Sequence, residues 1–196
     1  MSIKVFYSKL KFFFYNNLSF SALVITFLLS FSTSLYLIHF NFIYDLWEHF
    51  WKFYVTLTEG NFFLFFFFVF SIELIFIAIV YLNGLSISGF AFTYIFVFIF
   101  GIFVGTFIGY CCLSQGWNGY INTVLKFFPS VLIFSAAYLL ANREAFAFSK
   151  MICKAFAPSN KYNFYDDFKL YSIRFLIFVC TAFVSSLVHT LTGKYI

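Results

Sequence analysis

The chain has 196 residues, 63% of them hydrophobic and only 10% charged, with 37 phenylalanines and a formal net charge of +5. Ordinary soluble domains are roughly 25% charged, so a separate soluble domain is excluded and a single integral membrane domain, an all-α polytopic helix bundle over residues 1–196, is predicted. The positive balance does not indicate nucleic acid, because Lys and Arg fall in short segments between apolar runs, where they orient a chain in a lipid bilayer.

The first apolar run predicts a span over about 18–40. Lys4, Lys9 and Lys11 precede it in the manner of a signal n-region, but the run exceeds the usual h-region of about 7–15 residues and shows no small-residue cleavage site. An uncleaved first helix is therefore expected. Residues 41–60 mix Asp45, Glu48, Lys52 and Glu59 with Trp47 and Trp51, the composition of an interfacial amphipathic helix. Asp45 and His49, four apart, share a helix face, yet two ligands do not make a zinc site. His39, His49 and His189 read as ordinary interfacial histidines, and no metal is expected.

A second span is predicted over about 62–82, with Glu73 near its middle. Intramembrane carboxylates are costly and therefore usually paired, protonated or functional. Two readings are open. One is a neutral Glu73 hydrogen-bonded to a Ser, a Tyr or a backbone carbonyl; the other is a relay, which needs a second ionisable group at similar depth that the sequence does not offer. No Asp, Glu, Lys or Arg stands between Glu73 and Lys126, which is about 78 Å of helix, enough to cross a ~30 Å hydrocarbon core twice.

Residues 83–89 read as a short turn leading to a third span over about 90–112. Within it Gly101, Gly105 and Gly109 repeat every four residues and line one helix face. That face is a packing seam inside the bundle, a docking face for a partner helix, or the wall of a pore or lipid groove. A fourth span is predicted over about 127–149. Its strictly apolar part ends at Asn142, and nothing breaks the helix before Pro158. Arg143, Lys150 and Lys154 fall in one narrow arc, with Phe146, Phe148, Ile152 and Phe156 away from it, so this extension reads as an amphipathic helix with its basic stripe on an anionic leaflet.

The fifth span, about 175–191, lies between Arg174 and Lys194. Five spans put the termini on opposite sides. Nine basic residues (Lys4, Lys9, Lys11, Arg143, Lys150, Lys154, Lys161, Lys169, Arg174) fall on one side and three (Lys52, Lys126, Lys194) on the other. The amino terminus is thus expected inside and the carboxyl terminus outside. Cys111, Cys112, Cys153 and Cys180 have no metal-ligand spacing and are expected to be inert buried thiols. Without a nucleophile elbow or a phosphate-binding loop, no enzyme activity and no cofactor are expected.

Several of these residues resemble the stage II sporulation protein M family of bacterial membrane proteins. The triple-glycine seam Gly101, Gly105, Gly109 is similar to that family's middle span. Gly116-Trp117-Asn118-Gly119 resembles its glycine-tryptophan turn, and Phe128-Pro129 the proline opening its fourth helix. Asn142-Arg143-Glu144-Ala145-Phe146-Ala147-Phe148-Ser149 resembles the segment ending in a Phe-Ser pair before a basic stretch, and Ser185-Ser186 in the last span also fits. The chain departs at Ser130-Val131, where the family tends to have Gln-Asn, and at His189, where it tends to have an acidic residue. The resemblance implies a non-catalytic scaffold in the bacterial cytoplasmic membrane. Its implied partners are membrane-anchored peptidoglycan hydrolases, a lytic transglycosylase and an amidase-type enzyme, brought together for engulfment in spore formers. The competing reading is the permease subunit of a small ATP-driven transporter, with 143–156 as the coupling element. A channel or holin-like protein is disfavoured, because no span carries a polar stripe fit to line a water path.

Overall fold

The structure, a computed structural model, describes residues 18–155 and 164–195. Every regular element in this range is an α-helix: α1 (Leu18–Leu37), α2 (Asn41–Glu59), α3 (Phe62–Gly84), α4 (Gly89–Ala155) and α5 (Phe164–Tyr195). Five stretches are long and apolar enough to cross a membrane, namely Leu18–Leu37, Phe62–Gly84, Gly89–Ser114, Lys126–Cys153 and Tyr165–Gly193. The fold is the helical membrane bundle expected from the hydropathy pattern. Lys4, Lys9, Lys11, Phe156, Pro158 and Lys161 lie outside the described residues.

The two arms of α4 run antiparallel. The Phe100 ring meets Tyr138 at a centroid distance of 4.3 Å, Phe107 meets Phe127 at 5.7 Å, and the Phe90 amide donates to Ser149 Oγ at 2.8 Å. Between these arms, α3 and α5 lies the main core, with Ile77, Val80, Val97, Phe100, Phe134 and Tyr138 among its buried residues. α2 covers one end of the bundle. Its Trp47 and Tyr54 are buried there against Phe103, Phe107, Phe65 and Phe127, while Leu46 and Phe53 on other faces are exposed.

α1 lies parallel to the first arm of α4 and is joined to it by the glycine seam. A Cβ built on Gly101 would collide with Ser30 Oγ and stand 2.9 Å from the Phe27 carbonyl oxygen; one on Gly105 would collide with Ser34 Oγ and stand 2.7 Å from the Phe31 carbonyl. At Gly109 the nearest atom would be Ile38 Cγ2, at 3.2 Å. Ser30 and Ser34 donate to the carbonyls of Phe27 and Phe31 in their own helix, at 2.9 and 2.6 Å. Both helices thus present small residues four apart, which lets their backbones approach closely. Of the readings left open for these glycines, the structure has the seam inside the bundle: α1 fills the face, leaving no room there for a partner helix or a groove.

Three features differ from expectation. At Gly116 (φ 64°, ψ −161°) the chain turns between two helices, as the resemblance implies, but the second helix begins directly after it. Pro129 therefore sits inside a helix instead of opening one. The extension beyond Asn142 is not a helix lying on a leaflet: Phe146, Phe148 and Ile152 are buried, so it continues the fourth span within the bundle, with Arg143 and Lys150 exposed. α5 begins about ten residues before the expected 175. Asp166 and Asp167 occupy its first turn, where the helix dipole favours acidic groups. Tyr171 is buried one turn before Phe175, stacked on Phe148 at 4.2 Å.

Gly116 holds a backbone conformation open almost only to glycine, while a Cβ there would meet nothing within 4 Å. Its constraint is conformational, not spatial. Gly116→Ala is expected to destabilise the protein by about 1–3 kcal/mol through backbone strain alone, measured as a shift of the thermal unfolding midpoint in detergent.

Candidate functional site

The residues that carry the family resemblance form the joints of the bundle. Ser149 Oγ accepts from the Phe90 amide at 2.8 Å and donates to the Ser86 carbonyl at 2.7 Å, pinning the α3–α4 turn to the far end of α4. Asn83 braces the same turn through Nδ2, which donates to the Gly89 carbonyl and to Thr93 Oγ1. Phe148 stacks on Tyr171, whose hydroxyl donates to the Tyr81 carbonyl. Arg174 on α5 pairs with Glu144 on α4. Trp117 and Gly119 lie in the helix just after the Gly116 kink. Arg143 stands over the Phe20 ring of α1 and Lys150 over Phe146; Lys154 follows on the same helix.

Away from these joints lies a second polar group, centred on Glu73. The carboxylate is buried, and each of its oxygens accepts one hydroxyl: Ser185 donates to Oε1 and Ser186 to Oε2, both at 2.9 Å. A serine partner is the kind anticipated for an intramembrane glutamate. Both hydroxyls have a second acceptor in reach, the Ser130 carbonyl at 3.0 Å for Ser185 and the Ala182 carbonyl at 2.9 Å for Ser186.

One turn beyond Ser185 on the same face of α5 comes His189, and the structure corrects the expectation for it. It is not an ordinary interfacial histidine. It is partly buried, packed on Phe127 with ring centroids 4.9 Å apart, and both its nitrogens are engaged. Nε2 lies 2.9 Å from Tyr54 Oη, and Nδ1 lies 3.0 Å from Ser130 Oγ. The Ser130 hydroxyl donates to the Phe127 carbonyl at 2.8 Å. With that proton committed, Ser130 Oγ accepts from Nδ1–H, which leaves Nε2 to accept from Tyr54. Burial pushes the Tyr54 phenol up from its ordinary value, keeping it protonated as a donor. One neutral imidazole tautomer thus satisfies every atom in the chain.

Glu73, Ser130, His189 and Tyr54 border the same cavity, of about 110 Å³, lying under α2 between α3 and α4. Its remaining wall is apolar and mainly aromatic, including Trp47, Phe68, Phe76, Phe100 and Phe103. This cavity, bordered by both a carboxylate and an imidazole, is the candidate site.

The other histidines do not join it. His39 and His49 are exposed, and His49 Nδ1 lies 2.8 Å from the backbone carbonyl of Asp45, not from its carboxylate. Among the described residues no three His, Cys, Asp or Glu side chains converge on a metal position. Of the cysteines only Cys111 is buried; Cys153 and Cys180 are exposed on the outside of their helices, contrary to expectation.

The chain is a multi-pass helical membrane protein. No family model, curated protein or solved structure matches it.

Proposed function

We propose that the chain is a non-catalytic scaffold of a bacterial cytoplasmic membrane, similar in role to stage II sporulation protein M, with its amino terminus inside and its carboxyl terminus outside. Its partners in this reading are membrane-anchored peptidoglycan hydrolases of the lytic transglycosylase and amidase types. The observation that carries it is the use to which the family-like residues are put. Gly101, Gly105 and Gly109 seat α1, Gly116 turns the chain, and Ser149 pins the α3–α4 turn. Such positions preserve a shape, and shape is what a scaffold supplies. The uneven distribution of Lys and Arg supports the stated orientation.

Affinity purification of the full chain in mild detergent tests this. Peptidoglycan hydrolases are expected to co-purify in stoichiometric amounts, and to be lost when the bundle is disrupted. Recovery instead of a cytoplasmic ATPase whose turnover responds to the chain overturns the scaffold in favour of a transporter subunit.

A further inference from the structure

Glu73 and its neighbours lie apart from the glycine seam and the Ser149 joint, and they border a cavity. We propose that the cavity beside Glu73 binds a small organic cation, an ammonium head group of about trimethylammonium size, with Glu73 as its counter-ion.

Four observations converge on this chemistry. Glu73 is a buried carboxylate inside a membrane span, and the ion pairs among the described residues, Lys52–Glu48 and Arg174–Glu144, lie elsewhere. Each of its oxygens accepts a serine hydroxyl. The ionised group, an acceptor only, satisfies both contacts as they stand, and the acid is satisfied once one serine turns to its second acceptor. In its ionised form Glu73 needs a positive neighbour, since an unpaired intramembrane charge is costly. The adjoining wall is built of the aromatic side chains Trp47, Phe68, Phe76, Phe100 and Phe103, with no Lys or Arg among the lining residues. Aromatic faces attract cations through their quadrupoles, and quaternary ammonium groups are the ligands such cages recognise. His189 is not the partner of Glu73, because its two ring nitrogens lie against Tyr54 Oη and Ser130 Oγ.

Size narrows the ligand further. A cavity of about 110 Å³ is somewhat smaller than the ~150 Å³ cavity that accepts benzene. It suits a compact head group and excludes a long chain. An anion would meet the carboxylate. A neutral apolar molecule would suit the walls but leave Glu73 without a counter-charge. The same ammonium chemistry occurs in a free amine and in a phospholipid head group, and the experiment separates these sources.

Purified full-length protein in a non-ionic detergent is titrated with choline and with its uncharged isostere 3,3-dimethylbutanol, following tryptophan fluorescence, since Trp47 lines the site. Choline is expected to bind saturably and at least about tenfold more tightly than the isostere, the gain that cation–π and charge contacts supply in a desolvated site. Glu73→Gln, nearly isosteric, is expected to erase that preference. Phe103→Leu, which removes a ring from the wall, is expected to weaken choline severalfold while leaving the isostere unchanged. Equal affinity for the two ligands in the unaltered protein overturns the proposal, as does a choline preference that survives Glu73→Gln. Repeating the titration in vesicles of phosphatidylglycerol with and without phosphatidylcholine assigns the source. Loss of choline binding when phosphatidylcholine is present points to a lipid head group and retention points to a free amine; a preference for choline over the isostere in phosphatidylglycerol alone is required for both.

Discussion

Gly105→Leu is expected to keep α1 from docking and to leave no stably folded protein in detergent. The reason is a backbone collision, which side-chain rearrangement cannot relieve. A Cβ at position 105 would lie 2.7 Å from the Phe31 carbonyl oxygen, so even alanine forces the two helices apart, whereas the clash with Ser34 Oγ alone could be relieved by a rotamer change. Gly105→Ala should therefore cost about 1–3 kcal/mol, the usual range for overpacking a well-filled interior. Gly109→Ala should cost less, because its nearest neighbour is a side-chain methyl at 3.2 Å. The buried Cys111 lies in the same small cluster as Ile38, at the end of this seam, and gives a direct readout. With Cys112, Cys153 and Cys180 replaced by serine, its reaction with a maleimide should accelerate in the order Gly105→Leu, Gly105→Ala, Gly109→Ala. Equal protection in all three variants would show that the seam does not hold α1.

The second large effect is expected from removing both hydroxyls that serve Glu73. In Ser185→Ala/Ser186→Ala the carboxylate keeps its place but loses both donors. Leaving a buried carboxyl group without its hydrogen-bond donors costs roughly 1–3 kcal/mol, so the double variant should unfold at a lower temperature or denaturant concentration. Removing the carboxylate instead should be mild, since the two serines retain the Ser130 and Ala182 carbonyls as acceptors. Adding Glu73→Leu to the double variant should accordingly restore most of the lost stability. The asymmetry is the diagnostic result: taking away donors hurts, while taking away the acceptor does not. A double variant as stable as the parent would mean that these hydrogen bonds contribute nothing.

The spans were readable because hydropathy measures the property a bilayer selects, and four of the five lie within a few residues of the helices found. The start of α5 was not readable in this way. Asp166, Asp167, Lys169 and Arg174 interrupt the apolar run, but a helix needs only one apolar stripe, and Tyr171 and Phe175 supply it while the charged residues stay on exposed or partly exposed faces. The glycine repeat was visible as a pattern. Its partner was not, because the small residues of α1, Ser30 and Ser34, are unremarkable in any span. The same limit applies to the candidate site. Glu73 announces itself as a charge in an apolar run, whereas the serines that answer it are 112 and 113 positions away. Only the spacing of Ser185, Ser186 and His189 on one helical face hinted that α5 presents a polar edge inward. Nothing local to His189 distinguishes an interfacial imidazole from one held at both nitrogens.

The parallel pairing of α1 with the first arm of α4 has a consequence for biosynthesis. Among the described residues α1 makes its substantial contacts with α4, so it enters lipid before that docking surface exists. At roughly 5–20 residues per second of translation, the stretch separating Leu37 from Gly101 takes several seconds to emerge. Throughout that interval α1 must persist as a solitary helix in hydrocarbon, where an unanswered hydroxyl is costly. Thr26, Ser30, Ser32, Thr33 and Ser34 each donate to a carbonyl three or four residues back in α1 itself. These five hydroxyls are therefore answered within the nascent segment while it waits, and Ser30 and Ser34 meet the glycines with their donors already quenched.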